Sequence, residues 1–332
     1  MATKKTSTKK SLADVKMSIA KTLGDGVLTN LADKALDVER IPTGILAVDK
    51  ILGGGFPKGT FVEAAGVAGS GKSAIAQSMI AQAQELGNCI YVDLEHSLDP
   101  HMLETSGVDT SKLMIAQPES TEDTLTILDE LLEVDEVPLI VVDSVAGMVP
   151  RSEISGDYGD AQMAVQARLM SQGLRKLRSK MTSVRSSAII FWVNQLRANI
   201  QSMGYGPQTV TTGGKALSFW CSTRLEVSRI KNLGADPVIG HQVKVKVTKN
   251  RHAPPFQTGT FDIYYDSGIS NGSTLIELGV AEGLIKQSGA WFADAETGEK
   301  LGQGKLNAAN HVEDDAELFN KYVSVLLGMG LS

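Results

Sequence analysis

The sequence contains few cysteines and no long apolar run. Of its 332 residues only Cys89 and Cys221 are cysteines, and no Cys-x-x-Cys pair or cysteine-histidine cluster occurs. This pattern excludes a disulfide framework and argues against a zinc site. No stretch approaches the roughly 18 apolar residues of a membrane span, and the amino terminus has no apolar signal segment. We therefore expect a cytoplasmic protein with no membrane partner.

The chain also lacks an excess of basic residues. It has 32 Lys and Arg against 38 Asp and Glu, which gives a formal net charge of -6. A small negative charge does not exclude nucleic-acid binding, because basic residues can be concentrated in one groove of an acidic protein. Hydrophobic residues make up 42% of the chain, enough to fill the core of one large α/β domain with a smaller appendage.

The most informative segment is residues 66–73, which fits the phosphate-binding pattern G-x-x-x-x-G-K-[ST]. In this pattern backbone N–H groups surround phosphate oxygens, the lysine reaches the β and γ phosphates, and the hydroxyl holds Mg²⁺. An accidental glycine-rich turn is the alternative, but an apolar run precedes the segment and a helical pattern follows it, as the motif requires. The candidate phosphate-binding residues are Gly66, Gly69, Ser70, Gly71, Lys72 and Ser73.

Four apolar runs, including the one that precedes the phosphate-binding segment, indicate the fold. They predict buried parallel strands over residues 61–65, 89–94, 139–142 and 188–193. Helical patterns lie between them, including one that Ser120 or Thr121 caps and one with apolar positions from Met163 to Met181. Alternating strands and helices predict a mostly parallel, twisted sheet with helices on both faces. Ligands of such a sheet bind at the carboxyl ends of its strands.

The chain divides into four predicted regions. The first is a basic disordered tail, and the second is a helix-strand segment too small to fold alone. The ATPase-type core follows, and a small α+β domain ends the chain, with helices over 275–285 and 316–327 and a hairpin over 290–301. The predicted bounds are 1–10, 11–37, 38–268 and 269–332.

Three polar residues follow the predicted strands. Asp143 ends a buried strand and can bind the water shell of an Mg²⁺ ion held by Ser73. Glu95 follows the next strand end and can orient a water for attack on the γ phosphate. Gln195 follows a third predicted strand, where a neutral amide can contact the γ phosphate and respond to whether that phosphate is present. Alone, a strand-end Asp such as Asp143 is more often a turn or cap residue, and Glu95 by itself has no specific signal; the phosphate-binding segment favours the functional interpretation of Asp143.

Two segments at the same sheet edge are predicted loops, at about residues 153–163 and 197–214. The second is long, and a long loop in a compact domain is usually functional or disordered. Arg168 and Arg175 lie on the helix behind the shorter loop. Their guanidinium groups, with loop amides and hydroxyls, suit a sugar-phosphate backbone that is bound without regard to sequence. A solvated basic helix face beside ordinary loops is the alternative.

Together these residues resemble the RecA family of DNA recombinases. The resemblance extends from about residue 38 to residue 305, in order and at the family's spacing. It predicts a RecA-like P-loop NTPase core. The matching stretches are residues 66–73, 93–100, 141–146, 170–172, 194–197, 211–217, 249–251 and 289–291.

The resemblance implies roles for individual residues. Those implied in catalysis are Glu95, Lys72, Gln195, Lys249 and Arg251, the last two reaching ATP on a neighbouring subunit. Asp143 would support Mg²⁺, and Asp99 and Tyr265 would contact adenine. Phe219, Val27 and Leu28 would lie at the subunit interface. Those implied in DNA binding are Met163, Arg168, Ser171, Arg175, Arg197, Ile200, Gly213 and Gly214. On sequence alone, Lys249 and Arg251 would be solvated strand-end charges.

The activity that the resemblance implies is that of an ATP-dependent recombinase. With ATP and Mg²⁺ such a protein forms helical filaments on single-stranded DNA, pairs it with homologous double-stranded DNA and exchanges strands. A LexA-like repressor is a candidate partner. One departure is Arg251, where many family members have lysine. The alternatives are a RecA-fold hexameric helicase and a non-catalytic, ATP-liganded filament that protects DNA.

Overall fold

A computed structural model describes residues 9–24, 27–28, 38–157, 163–198 and 209–328. The described residues divide into two units, one before residue 40 and one from Arg40 onward. In the first unit, helix α1 spans Leu12–Leu23. Ser11 caps it, since the Ser11 hydroxyl accepts from the backbone N–H of Asp14 at 3.1 Å. The predicted strand over residues 26–31 is described only at Val27 and Leu28, which are exposed and lie in a bend.

The second unit contains the predicted α/β core. Its helices before residue 260 are α2 (Leu46–Leu52), α3 (Lys72–Ala83), α4 (Pro100–Thr105), α5 (Thr121–Leu131), α6 (Arg151–Ile154), α7 (Met163–Ser183) and α8 (Ala216–Trp220). Its strands up to residue 270 are β1 (Arg40–Ile41), β2 (Phe56–Pro57), β3 (Phe61–Gly66), β4 (Cys89–Asp93), β5 (Leu113–Ala116), β6 (Leu139–Asp143), β7 (Ile189–Ala198), β8 (Thr209–Thr211), β9 (Thr223–Leu233), β10 (Gly240–Asn250), β11 (Thr258–Tyr264) and β12 (Gly268–Ser270).

Within the described residues, ten of these strands form one mixed sheet. Their order is β12-β11-β10-β9-β3-β7-β6-β4-β5, and β8 pairs with β7. The six neighbouring strands β9, β3, β7, β6, β4 and β5 run parallel to one another. All four predicted parallel strands are among them and are confirmed. Strands β9 to β12 are antiparallel, and this half was not predicted. The carboxyl ends of β3, β4, β6 and β7 therefore meet at one edge.

Helices cover both faces of this sheet. On one face, Ile75 and Met79 of α3 pack into a buried cluster with the strands. On the other, Met170 and Leu174 of α7 pack against Trp192 of β7, as the apolar spacing in the sequence predicts. The predicted capped helix is α5, whose N-cap is Ser120. No helix in the described parts of the chain has the length and hydrophobicity needed to span a membrane.

The carboxyl-terminal lobe combines helices with a small antiparallel sheet. Its elements are α9 (Asn271–Ala281), β13 (Ile285–Ser288), β14 (Trp291–Asp294), β15 (Lys300–Gln303), α10 (Lys305–Asp314) and α11 (Ala316–Leu327). The predicted hairpin and last helix are confirmed. The predicted helix end at Ile285 was wrong, because Gly283 has φ +76° and Ile285 begins β13.

Asp294 organises the hairpin turn of this lobe. One carboxylate oxygen accepts from the backbone N–H groups of Glu296 and Thr297, at 2.8 and 2.7 Å, and the other accepts from the Tyr322 hydroxyl at 2.6 Å. Burial alone would raise the pKa of Asp294, but these hydrogen bonds outweigh it and hold the pKa at about 2. The lobe is therefore stabilised by a buried carboxylate that joins the hairpin turn to Tyr322 and is ionised at neutral pH.

Candidate nucleotide and nucleic-acid site

The predicted phosphate-binding segment joins β3 to α3 as a tight loop. Gly66 must be glycine, because a Cβ there would lie 2.3 Å from the Val227 carbonyl oxygen. Gly71, with φ +99°, is the N-cap of α3 and supplies no capping side chain. The first N–H groups of α3 have no intrahelical acceptor and carry the positive end of the helix dipole. Loop and helix therefore form a cradle that suits an anion such as phosphate.

Lys72 lies inside this cradle. Its side chain is buried, and its Nζ donates to the carbonyl oxygen of Val67 at 2.8 Å. Burial lowers the pKa of Lys72, and the negative charges of Asp143 and Glu95 oppose that shift. The loop thus holds a cation whose hydrogen bonds can be exchanged for those to a phosphate chain.

Asp143, at the end of β6, is joined to the start of α3. One of its oxygens accepts from the Ser73 hydroxyl at 2.8 Å and from the Tyr91 hydroxyl at 2.6 Å. Burial raises the pKa of Asp143, although both hydrogen bonds oppose this shift. A hydroxyl beside a carboxylate is the donor set that Mg²⁺ takes together with waters and phosphate oxygens. The residues present therefore fit the predicted metal.

Glu95 and Gln195 meet at the same edge. One Glu95 carboxylate oxygen accepts from the Gln195 amide nitrogen at 2.9 Å and from the Ser144 hydroxyl at 2.5 Å. Glu95 and Ser144 follow β4 and β6, and Gln195 lies within β7 opposite Gly66, so the sheet brings together groups that are far apart in the sequence. Sequence reasoning missed the roles of Ser144 and Tyr91, for which a buried hydroxyl beside the predicted acids was the available signal.

Described residues at the borders of the two predicted loops line a groove of about 510 Å³, among them Glu153, which lies in α6, and Val210 and Thr211, which lie in β8 and not in a loop. Segments that follow β6, begin α7 and join β7 to α8 line it, with Arg197 and Gly213 among the lining residues. Gly213 has φ +75° and lies so close to Val145 that a Cβ would be 2.7 Å from that side chain. The exposed polar residues predicted to bind DNA are Arg168, Ser171, Arg175 and Arg197.

Other predicted residues are placed as follows. Met163 is the first residue of α7, and Ile200 lies outside the described residues. Asp99 caps α4 by accepting from the His101 N–H at 2.9 Å. Tyr265 accepts from Arg229 at 3.2 Å. Among the described residues no hydrogen bond joins Asp99 to Tyr265.

Lys249 and Arg251 do not join this site. Lys249 donates to the carbonyl oxygens of Ser218 and Phe219, at 2.7 and 3.1 Å, and Arg251 donates to Phe219 at 3.3 Å. Lys249 pairs with Arg224 across β10 and β9, whereas Arg224 pairs with Glu63, early in β3. Lys249 is therefore level with Glu63, and Arg251 lies two residues further from the strand ends that carry Lys72. Phe219 beside them is 68% exposed.

These features define a P-loop α/β protein with a nucleotide-type site at the carboxyl edge of a mixed sheet. Comparison with known families specifies the class further. The RecA N-terminal domain model matches residues 10–270, and the RecA C-terminal domain model matches residues 273–323. The chain belongs to the RecA family.

Its relatives named Protein RecA are similar over nearly their whole length. The protein from Saccharopolyspora erythraea is 44% identical over 94% of this chain and 91% of its own length. Identity is also 44% with the protein from Mycobacteroides abscessus, over the same shares. For Brucella anthropi it is 42%, over 96% of this chain and 88% of the relative. Family membership supports nucleotide binding, DNA binding and self-assembly as general properties.

Proposed function

We propose that this chain is an ATP-dependent DNA recombinase. It forms a helical filament on single-stranded DNA, pairs that strand with homologous double-stranded DNA and exchanges strands, with DNA-stimulated hydrolysis of ATP. The observation that carries the proposal is the hydrogen bond between Glu95 and Gln195. It joins a candidate catalytic carboxylate to β7, which runs to Ala198 at the start of the predicted long loop, so occupancy of the nucleotide site can alter the loop.

In this proposal the reaction is attack of water on the γ phosphate of ATP. Lys72 binds the β and γ phosphates, and Glu95 takes the proton of the attacking water while ADP leaves. Ser73 and Asp143 would hold Mg²⁺, which would neutralise charge on the phosphate oxygens. Gln195 donates to the γ phosphate in exchange for its present hydrogen bond to Glu95. That exchange frees the carboxylate to act as the base and shifts the end of β7.

The position of Lys249 and Arg251 supports a site shared between copies. Lys249 is level with Glu63 and Arg251 lies further from the strand ends that carry Lys72, which favours contact with the triphosphate of another protomer. Burial and the charge of Arg251 lower the pKa of Lys249, which reflects two cations that would gain from a shared anion. A contact between unlike surfaces repeats from copy to copy, which produces a helical polymer or a ring. Exposed Phe219 would pack at this contact.

DNA binding is assigned to the groove and its borders. Arg168, Arg175 and Arg197 would pair with phosphates, and Ser171 would add a hydrogen bond. Gly213 and Gly214 allow the backbone to approach the strand closely. Met163 and Ile200 are proposed near the bases, and Asp99 with Tyr265 near the adenine of ATP. Val27 and Leu28 are proposed to dock on the next protomer.

The test is coupling between DNA and nucleotide. We expect single-stranded DNA to accelerate ATP hydrolysis, and a non-hydrolysable ATP analogue to tighten DNA binding relative to ADP or no nucleotide. Equal hydrolysis rates with and without DNA, or equal affinities in all three nucleotide states, would refute the proposal. Electron micrographs of the analogue-bound complex distinguish helical filaments from the closed hexamers of a helicase.

A further inference from the structure

Glu63 is a buried carboxylate in the middle of the sheet that the proposed reaction does not use. It lies on β3 and has no exposed surface. One oxygen accepts from the Asn194 side-chain amide at 2.8 Å, and the other accepts from the Arg224 guanidinium at 2.5 Å. Both Glu63 oxygens therefore have a partner, and each partner comes from a strand adjacent to β3.

Asn194 connects Glu63 to both functional segments. Its side-chain oxygen accepts from the backbone N–H of Gln195 at 2.8 Å and from the Thr212 hydroxyl at 2.5 Å. Its amide nitrogen donates to the Thr212 carbonyl oxygen at 3.1 Å as well as to Glu63. Asn194 thus fixes the residue proposed to contact the γ phosphate and the point where the chain returns from the long loop.

Arg224 extends the same network sideways across the sheet, from β3 to β9 and β10. It lies beside Lys249 in the β9–β10 ladder, and its carbonyl oxygen accepts from the Thr248 hydroxyl at 3.2 Å. One chain of contacts therefore runs from Gln195 through Asn194, Glu63 and Arg224 to the strand that carries Lys249.

Stability alone does not account for a polar network at this place. The surrounding positions on this face include Phe61, Ile190 and Trp192, which are buried and apolar. Burying a charge pair costs desolvation energy, and well-packed apolar residues are often equally stable in its place. Asn194 directly precedes Gln195, and Glu63 lies two residues before Ala65, the partner of Asn194 in β3. A fully satisfied network holds its members in one relative arrangement.

We propose that Glu63 and Asn194 are positioning residues that couple the bound nucleotide, ATP or ADP, to the affinity of the long loop for DNA. A displacement of Gln195 moves the backbone N–H that Asn194 accepts from, and Asn194 carries the displacement to Thr212. Glu63 anchors Asn194 against β3, so the movement is transmitted to the loop. This inference depends on the proposed function, since it requires a nucleotide-dependent affinity for DNA.

The experiment measures the ratio of single-stranded DNA affinities with a non-hydrolysable ATP analogue and with ADP. In Glu63→Gln we expect that ratio to fall toward one by roughly fivefold or more, within the usual range of coupling between sites. A fluorescent ATP analogue should still bind, because Lys72 and Ser73 are unchanged. The matched control is Glu226→Gln, which removes an exposed carboxylate two residues from Arg224 on β9 and should keep the wild-type ratio.

A second variant separates loss of coupling from loss of folding. Glu63→Met combined with Asn194→Leu replaces the pair by apolar groups of similar size, and thermal unfolding reports whether each variant folds. Loss of coupling in a folded variant supports the inference. A wild-type ratio in either folded variant overturns it, as would failure of both variants to fold, because the network would then be structural. A wild-type protein with no coupling would instead refute the proposed function.

Discussion

Replacing Glu95 by glutamine tests the proposed chemistry most directly. Both hydrogen bonds to the carboxylate come from donors, Ser144 and Gln195, and the oxygen of a glutamine amide can accept them in the same place. The substitution therefore preserves the arrangement and removes the basic group. A positioned general base contributes about 10²–10⁴-fold in rate, or about 3–5 kcal/mol of the barrier. Glu95 is exposed, so we expect the stability to change by less than about 0.5 kcal/mol.

The assay is steady-state ATP hydrolysis at saturating single-stranded DNA, together with DNA release after ATP is supplied. In Glu95→Gln we expect hydrolysis to fall by about 10²–10⁴-fold, ATP-dependent DNA binding to persist and release to stall. Glu299→Gln, which alters an exposed carboxylate in the carboxyl-terminal lobe, should behave as wild type. Hydrolysis within a factor of two of wild type in Glu95→Gln would refute the assignment of the base, and a non-catalytic filament would then be the better interpretation.

Three further perturbations test other parts of the structure. Lys249→Ala and Lys72→Ala should each abolish DNA-stimulated hydrolysis, but an equal mixture of the two variants should recover part of it. The Lys249→Ala chain keeps an intact phosphate-binding loop, which can receive Lys249 from a neighbouring Lys72→Ala chain; no recovery would contradict a shared site. Gly213→Ala should weaken DNA binding in a filter or anisotropy assay, since the left-handed φ and the close approach of Val145 together cost about 1–3 kcal/mol; unchanged affinity would argue against this loop. Asp294→Asn should cost about 2 kcal/mol at pH 7 by chemical denaturation, and the difference should shrink as the pH falls from 4 toward 2, because a folded-state pKa of about 2 lies below the unfolded value; a pH-independent difference would contradict the assigned ionisation.

The central strands and the phosphate-binding loop could be predicted because their signals are local. Strands such as β6 are buried on both faces and therefore appear as continuous apolar runs. The antiparallel half was missed although β10 carries a signal of its own, with Val243, Val245 and Val247 alternating with lysines. Helix α10 begins after Gly304 with no capping side chain, so the usual start signal is absent.

The contacts within the site could be predicted only in part. Strand-end position identified Asp143, Glu95 and Gln195, because parallel strands bring their carboxyl ends to one edge. The hydrogen bond between Glu63 and Asn194 joins residues 131 positions apart. Glu63 belongs to no matched stretch, Asn194 begins the matched stretch 194–197 without an assigned role, and their contact depends on β7 lying beside β3, an order that the apolar runs do not specify.

The strand order also explains why a filament and a ring must be distinguished by assembly and not by the active site. Lys249 lies level with Glu63, three residues before the end of β3. Because a strand rises about 3.3 Å per residue, this level is about 10 Å from the strand end that leads into the phosphate-binding loop. The Lys249 Nζ donates to the Phe219 carbonyl oxygen, and the proposed shared site would be completed by a neighbour whose carboxyl edge meets this face. A head-to-tail contact of this kind closes into a ring only if the rotation between copies divides a full turn with no rise along the axis. Filament and hexamer can thus use the same residues at the nucleotide. The geometry of the analogue-bound assembly, and not the loss of activity in any site variant, decides between a recombinase and a ring helicase.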